Sequence, residues 1–254
     1  MKIKKRKEKA ILKRARRPAE AVAETRFRGI IKPFVKRWKV IAAVAGGVAI
    51  AGTAVGGYAW YRRDREVRAA RAYAHVQERI ADEVKKAAEA AGEEGKLDED
   101  ELAAKTSAEL ENLVKRFGDT GTGRAATYEL ASLYFDRGEY EEAQELFVKV
   151  EAKSSGLEEV LAAVGVADCD KALGNYDAAI SKYRQIFDNY RGEFPSVPVA
   201  MGLAECYRET GKLDEAVKTY RYVLDYHRLS PYAAEAEREL RKTEAVIAAK
   251  RGPL

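Results

Sequence analysis

The feature that most constrains this chain is a segment that repeats itself. Gly138-Glu139-Tyr140-Glu141-Glu142-Ala143 returns as Gly174-Asn175-Tyr176-Asp177-Ala178-Ala179 and again as Gly211-Lys212-Leu213-Asp214-Glu215-Ala216, at intervals of 36 and 37 residues. Other columns keep the same step: Ala131, Ala167 and Ala204 before the glycine, then Phe147, Tyr183 and Tyr220, then Val150, Ile186 and Val223 after it. A period of this length marks a solenoid of short supersecondary units. Glycine permits the tight reversal between two antiparallel helices, the alanines let the helices approach, and the aromatic fills the space they leave.

These residues resemble tetratricopeptide repeats, in which a small residue in one helix, a G-x-Y turn, an alanine and an aromatic recur. The resemblance covers residues 124–242 and implies an all-α solenoid of antiparallel helix hairpins. It departs from the pattern in repeat length and at Asp170, which stands where Tyr134 and Tyr207 supply an aromatic, so the middle repeat is expected to pack loosely. Ser230-Pro231-Tyr232-Ala233-Ala234-Glu235-Ala236 resembles the start of a capping helix in envelope proteins of this superfamily. Pro195 and Pro198 are expected to bend the array before the third repeat.

Upstream, Val40 to Tyr61 is 22 residues without a charge, with Arg37, Trp38 and Lys39 on one side and Trp60, Tyr61, Arg62 and Arg63 on the other. At about 1.5 Å per residue it reaches the ~30 Å thickness of a hydrocarbon core, with both tryptophans at headgroup level. A transmembrane helix over 40–61 is the reading. A buried core helix is a poorer fit, because charge bounds both ends. A cleavable signal peptide is the stronger rival, since Ala49-Ile50-Ala51 has the small-x-small form, but the basic region ahead of it is long and the apolar run continues past it. Gly47, Gly52 and Gly56 lie on small-residue ridges suited to close packing of another transmembrane helix; simple tolerance of lipid is the other reading.

Residues 1–39 carry 16 Lys and Arg against three Glu, giving +13 in a chain of net charge +5, so residues 62–254 carry −8. The positive-inside rule places this tail in the cytoplasm and the C-terminal region outside it, although Arg62, Arg63, Arg65, Arg68 and Arg71 crowd the far flank. From Phe27 to Trp38 the apolar residues keep helical spacing with cations between them, which suits anionic lipids of the inner leaflet. Nucleic acid is not an expected partner, because no nucleic-acid module accompanies the basic runs. Asp64 to Ala91 reads as a long helix closed by Gly92 to Gly95, Glu101 to Phe117 as a second helix, and Gly118 to Gly123 as a turn. The domain plan is thus a tail (1–39), a span (40–61), a stalk helix with a helical hairpin (62–123) and repeats with a capping helix (124–254).

No catalytic constellation, cofactor motif or metal-ligand spacing emerges. His75 and His227 stand far apart in helical contexts, and the acidic residues alternate with basic ones as solvated helix faces do. An enzyme is the least expected class. Cys169 and Cys206 occupy one column of adjacent repeats, where packed helices hold Cα atoms beyond the roughly 7 Å reach of a disulfide, so two buried free thiols are expected.

In stacked hairpins the first helices line the concave side. The outward positions there are Tyr128, Ser132, Phe135 and Asp136, then Val164, Asp168 and Lys171, then Met201, Glu205 and Arg208, a mixture that suits an extended peptide. Tyr128 and Phe135 have a second reading, packing against the preceding hairpin. With one span, a long helix and a short array, the layout resembles the single-pass inner-membrane family that includes the ancillary subunit of the Sec translocon. That resemblance implies a periplasmic scaffold near emerging secreted proteins, linking translocon subunits and chaperones; the alternatives are an envelope-assembly or cell-division scaffold and a membrane-anchored cytosolic adaptor. The topology makes a prediction. Protease added to spheroplasts is expected to digest the repeats and leave the tail intact, and protected repeats would reverse the orientation.

Overall fold

A computed structural model describes residues 38–91, 99–190 and 194–251, so the basic tail and the Gly92 to Gly95 turn lie outside the described residues. All regular structure among these residues is helical: α1 (Trp38–Ala91), α2 (Glu99–Phe117), α3 (Gly121–Asp136), α4 (Tyr140–Glu151), α5 (Leu157–Ala172), α6 (Tyr176–Asn189), α7 (Ser196–Glu209), α8 (Leu213–Tyr226) and α9 (Ala233–Arg251). The chain divides into two compact units, Met1–Arg63 and Asp64–Leu254.

In the first unit the described residues all belong to α1. Mean hydropathy in this helix reaches 1.4, and none of its apolar stretch is buried within the chain, which sets aside a core helix. A helix of this length and composition is long and apolar enough to cross a membrane. Beyond the adjoining residues and nearby backbone of the helix itself, no described atom lies within 4 Å of where a Cβ would stand on Gly47, Gly52 or Gly56.

The second unit is the hairpin solenoid. Successive helices from α2 to α9 pack in order, and the first helices of neighbouring hairpins, α3 with α5 and α5 with α7, also touch. Each repeat turns on its glycine, where φ is +79° at Gly138, +78° at Gly174 and +73° at Gly211. Around each, the glycine N–H reaches back three residues and the next N–H reaches back five, as in Tyr134 O accepting from Glu139 N at 2.9 Å. This is a Schellman closure with glycine in the left-handed position, the geometry that a Cβ opposes.

The repeated columns form the core. Ala131, Ala167 and Ala204 are fully buried, as are Ala143, Ala179 and Ala216, and Phe147, Tyr183, Tyr220, Val150, Ile186 and Val223 are buried with them. The aromatics go further than filling their own hairpins. A Cβ on Gly165 would stand 2.7 Å from the Phe147 ring, and one on Gly202 would stand 2.7 Å from Tyr183 Cζ. The second helix of one repeat therefore drives its ring into a glycine notch on the first helix of the next.

Two expectations change. The middle repeat is not loose: Ala167, Ala179, Ile180 and Tyr183 sit in the largest apolar cluster, and Asp170 accepts a hydrogen bond from Gln144 Nε2 at 2.7 Å across the repeat boundary. The turn after α2 is only Gly118 to Thr120. Thr120 caps α3 by accepting from Gly123 N at 2.9 Å, and Gly123 packs so tightly on the Phe117 carbonyl that a Cβ would overlap it. Pro198 sits in the first turn of α7, where a proline needs no intrahelical partner. The cysteines are as expected, buried and unpaired, and burial pushes the Cys169 thiol up to about 12 and Cys206 up to about 11.

The segment of α1 after Arg63 packs through Ala69 and Val76 in one cluster with Leu110, Leu113, Phe117, Ala126 and Leu130. Its Glu66 carboxylate accepts from Gly121 N at 2.7 Å and from Thr122 N at 2.8 Å, so α1 caps the start of α3. Burial works to raise the Glu66 pKa, yet the Thr122 and Gly121 hydrogen bonds and Arg124 carry it below the ordinary carboxylate value.

The glycine notch generates a prediction. Gly202→Val places a branched side chain against a ring whose hydroxyl is already held, and it is expected to destabilise the repeats by about 2 kcal/mol or more in denaturant titration. A variant as stable as the parent would mean that the inter-repeat joint is not tightly packed.

Candidate functional site

Five of the ten outward positions come together. Asp168 and Lys171 on α5 and Met201, Glu205 and Arg208 on α7 line one groove of about 350 Å³. The groove extends onto α9 through Tyr232, just before that helix, and Glu235, Glu239 and Lys242 within it. Of the other five, Val164 packs against the largest apolar cluster, Asp136 is exposed, and three make contacts elsewhere. Tyr128 stacks edge-on against Phe147 with ring centroids 5.3 Å apart, Phe135 stacks against Tyr140 at 5.2 Å, and Ser132 donates to its own helix at Tyr128 O. Tyr128 and Phe135 thus pack within their own repeat and toward Val166 and Cys169 of the next.

The chemistry of the groove follows from a short motif on three successive helices. An acid and a base three residues apart recur as Asp168 and Lys171, Glu205 and Arg208, and Glu239 and Lys242. Three residues is nearly one turn, so each pair shares a helix face. The base of one helix reaches the acid of the next: Lys171 Nζ donates to Glu205 Oε2 at 2.8 Å, and Arg208 Nη1 donates to Glu239 Oε2. Lys242 closes the row on Glu239 Oε1 at 2.8 Å. At the other end Asp168 accepts from the Tyr183 hydroxyl, the same ring that fills the Gly202 notch.

Ionisation follows these contacts. Burial pushes the Asp168 carboxyl above its ordinary value, against the pull of Tyr183 and Lys171. Burial together with Asp168 pushes the Tyr183 hydroxyl up in turn. Lys171 loses by burial but gains more from Glu205 and Asp168, so its cation is stabilised overall, and Arg208 balances in the same sense on Glu209 and Glu239. The Lys242 hydrogen bond, opposed by burial, is the largest cause holding Glu239 below the usual carboxylate range.

By register Arg208 points outward as an exposed side chain. It is instead a brace between α7 and α9, since it pairs with Glu239 across the two helices and also holds Glu209 at 2.8 Å, and reversing it would gather three carboxylates around one point. The α9 contribution escaped sequence reading because the step from Glu205 to Glu239 is 34 residues, outside the 36 and 37 of the glycine column. The acid-x-x-base spacing itself was the available signal.

Among the described residues no three His, Cys, Asp or Glu side chains converge as a metal site. His75 lies 3.7 Å from Glu78, and His227 Nε2 lies 3.3 Å from the Tyr222 hydroxyl, so each is engaged locally. What the groove offers is ordered charge of both signs beside Met201 and Tyr232.

Residues 32–227 match the profile of a tetratricopeptide repeat-like domain. Among solved structures, the type III secretion chaperone SycD of Yersinia enterocolitica, in complex with a peptide of the translocator YopD, is similar over 50% of this chain and 92% of its own, at 23% identity and a TM-score of 0.43. A putative kinesin light chain with repeats of this type from Podosopora anserina is similar over 57% of this chain and 79% of its own, at 20% identity and a TM-score of 0.49. No curated protein matches the chain.

The Asp168 carboxyl sets a pH test. Its folded pKa is raised, so its share of stability is intact below the unfolded value of 3.8 and is lost as pH rises through the folded one. Asp168→Asn keeps an acceptor for Tyr183 without the charge, and its stability relative to the parent is expected to climb from pH 3.8 upward. Asp168→Ala leaves the buried hydroxyl unpaired and is expected to cost about 1–2 kcal/mol. An Asn variant that falls behind the parent with rising pH contradicts this account.

Proposed function

We propose, since the chain belongs to the tetratricopeptide repeat-like family, that it is a membrane-anchored scaffold that takes protein segments along the groove of α5, α7 and α9. The alignment of acid and base pairs across three helices carries this reading. Lys171 and Arg208 keep about a quarter of their side chains exposed, at 28% each, and are already held in place by Glu205 and Glu239. A lysine ammonium has three donors, and Lys171 uses one on Glu205, so an arriving peptide carbonyl or carboxylate meets a donor whose rotamer entropy is already spent. Met201 and Tyr232 add apolar contact between the charges.

Anchoring is supported by the unburied apolar stretch of α1, in which Thr53 donates its hydroxyl to Ile50 O at 2.9 Å and so needs no water. The family match starts at residue 32, ahead of this stretch, so apolar helix and repeats fall within one family domain, which favours a retained anchor over a cleaved leader. The +13 tail favours a cytoplasmic N-terminus and periplasmic repeats. On that topology the layout, like that of the family with the ancillary Sec subunit, fits a scaffold beside the secretion translocon and periplasmic chaperones. The arginines at 62, 63, 65, 68 and 71 favour the rival orientation, a cytosolic adaptor.

Photo-crosslinking in intact cells separates these readings. A photoreactive residue at Met201 or Tyr232 is expected to capture translocon subunits, whereas one at the exposed Lys218 of α8 is expected to capture none. Division or envelope-assembly proteins among the adducts would move the scaffold elsewhere, and cytosolic proteins alone would invert it. Equal capture from Lys218 would remove the groove from consideration.

A further inference from the structure

A second cavity, of about 340 Å³, opens where α1, α2, α3 and α4 meet in the folded unit, away from the groove. Six cations line it: Arg65, Lys115, Arg116, Arg124, Lys149 and Lys153, against the single carboxylate of Asp119. Four of the six have acidic partners. Arg65 pairs with Asp119, Lys115 with Glu111 at 3.2 Å, Lys149 with Glu145 at 3.6 Å, and Arg124 with Glu158 at 3.5 Å. Arg116 lies over the Phe117 ring at 5.2 Å and Lys153 is exposed, and neither pairs with a carboxylate among the described residues. The Arg124 Nε is buried with no hydrogen-bond partner among them.

Such an excess of cations around a concave space is unfavourable unless an anion shares it. Arg124 and Arg116 offer planar forks suited to phosphate oxygens, and the lysines offer point charges at the rim. Sequence distance narrows the source of that phosphate. Arg65 stands four residues after Tyr61, the last residue of the apolar run, and four residues of chain in any conformation reach at most about 14 Å.

We propose that this cavity holds the phosphodiester of an anionic phospholipid headgroup, fastening the repeat unit to the bilayer a second time. The assignment rests on the reading of Val40 to Tyr61 as a span, but it is independent of which side of the membrane the repeats occupy. No covalent change is involved; the phosphodiester replaces water among the guanidinium and ammonium groups.

The test uses the full chain in nanodiscs of phosphatidylcholine alone and of phosphatidylcholine mixed with phosphatidylglycerol, with hydrogen exchange read over residues 114–124 and 149–153. Exchange is expected to slow in the anionic discs alone, and to recover as salt is raised. Substituting Lys115→Gln, Lys149→Gln and Lys153→Gln together, all at exposed positions, is expected to weaken the apparent affinity for phosphatidylglycerol by on the order of tenfold or more. Equal exchange in the two discs overturns the proposal, as does a triple variant that keeps full protection. In detergent, short-chain phosphatidylglycerol is expected to protect the same segments where inorganic phosphate does not; equal protection by inorganic phosphate would make this a free-phosphate site. Carbonate extraction reports on the anchor separately. A protein released by carbonate removes the span, while the detergent titration still decides what the cavity takes.

Discussion

The contact on which the repeat unit depends is an aromatic ring seated in a glycine notch. Phe147 meets Gly165 and Tyr183 meets Gly202, each ring coming from the second helix of one repeat and each glycine from the first helix of the next. Solenoid repeats have no core of their own, so stability passes through such joints from neighbour to neighbour. A ring is the efficient filler here because it buries a large area with few rotamers to lose, and a glycine is required because the helix backbones come too close for a Cβ. Helical glycine is unfavourable by about 1 kcal/mol relative to alanine, so its presence at both joints reflects packing rather than helix propensity.

The groove inherits its order from the same joint. Tyr183 is fixed by Gly202 at its ring and by Asp168 at its hydroxyl, which sets α5 against α7 and brings Lys171 within reach of Glu205. Repeat one shows the contrast. There the ring is Phe147, without a hydroxyl, and the positions matching Asp168 and Lys171 are Ser132 and Phe135, so the charged row stops where the tyrosine stops. Phe135 turns instead to Tyr140 and closes that end with apolar contact. The charged row is thus confined to the last two repeats and the α9 helix.

Much of this was legible in the chain because a repeat states each structural requirement several times. The glycine turns, the alanine contacts and the buried aromatics could be read from columns in which three residues agree. The groove residues on α5 and α7 followed from the same register. What stayed hidden occurs once. Glu66 capping α3 from more than fifty residues away has no periodic echo, nor has the close seat of Gly123 on the Phe117 carbonyl; a run of glycines there reads as a turn until the backbone contact is seen. Tyr128 and Phe135 were open to two readings for a related reason. Register gives the face of a helix, but the residue filling the neighbouring column decides whether that face meets solvent or a ring.

Charge is distributed with the same economy. The chain is strongly basic before the apolar run and acidic after it, yet within the acidic part the cations gather at one end, around Arg65, Arg116, Arg124 and Lys153, while the far repeats pair theirs off in the groove. Paired charges add little to stability at a half-exposed surface, on the order of 0–1 kcal/mol, so the groove's row is better understood as a fixed arrangement of donors and acceptors than as a source of stability. Six cations around a cavity lined by one carboxylate are a different matter, because their number exceeds the acidic groups beside them. The two ends of the repeat unit therefore present opposite electrostatic conditions: one whose charges are mutually satisfied, and one whose cations, with Arg65 four residues past the apolar run, are in excess.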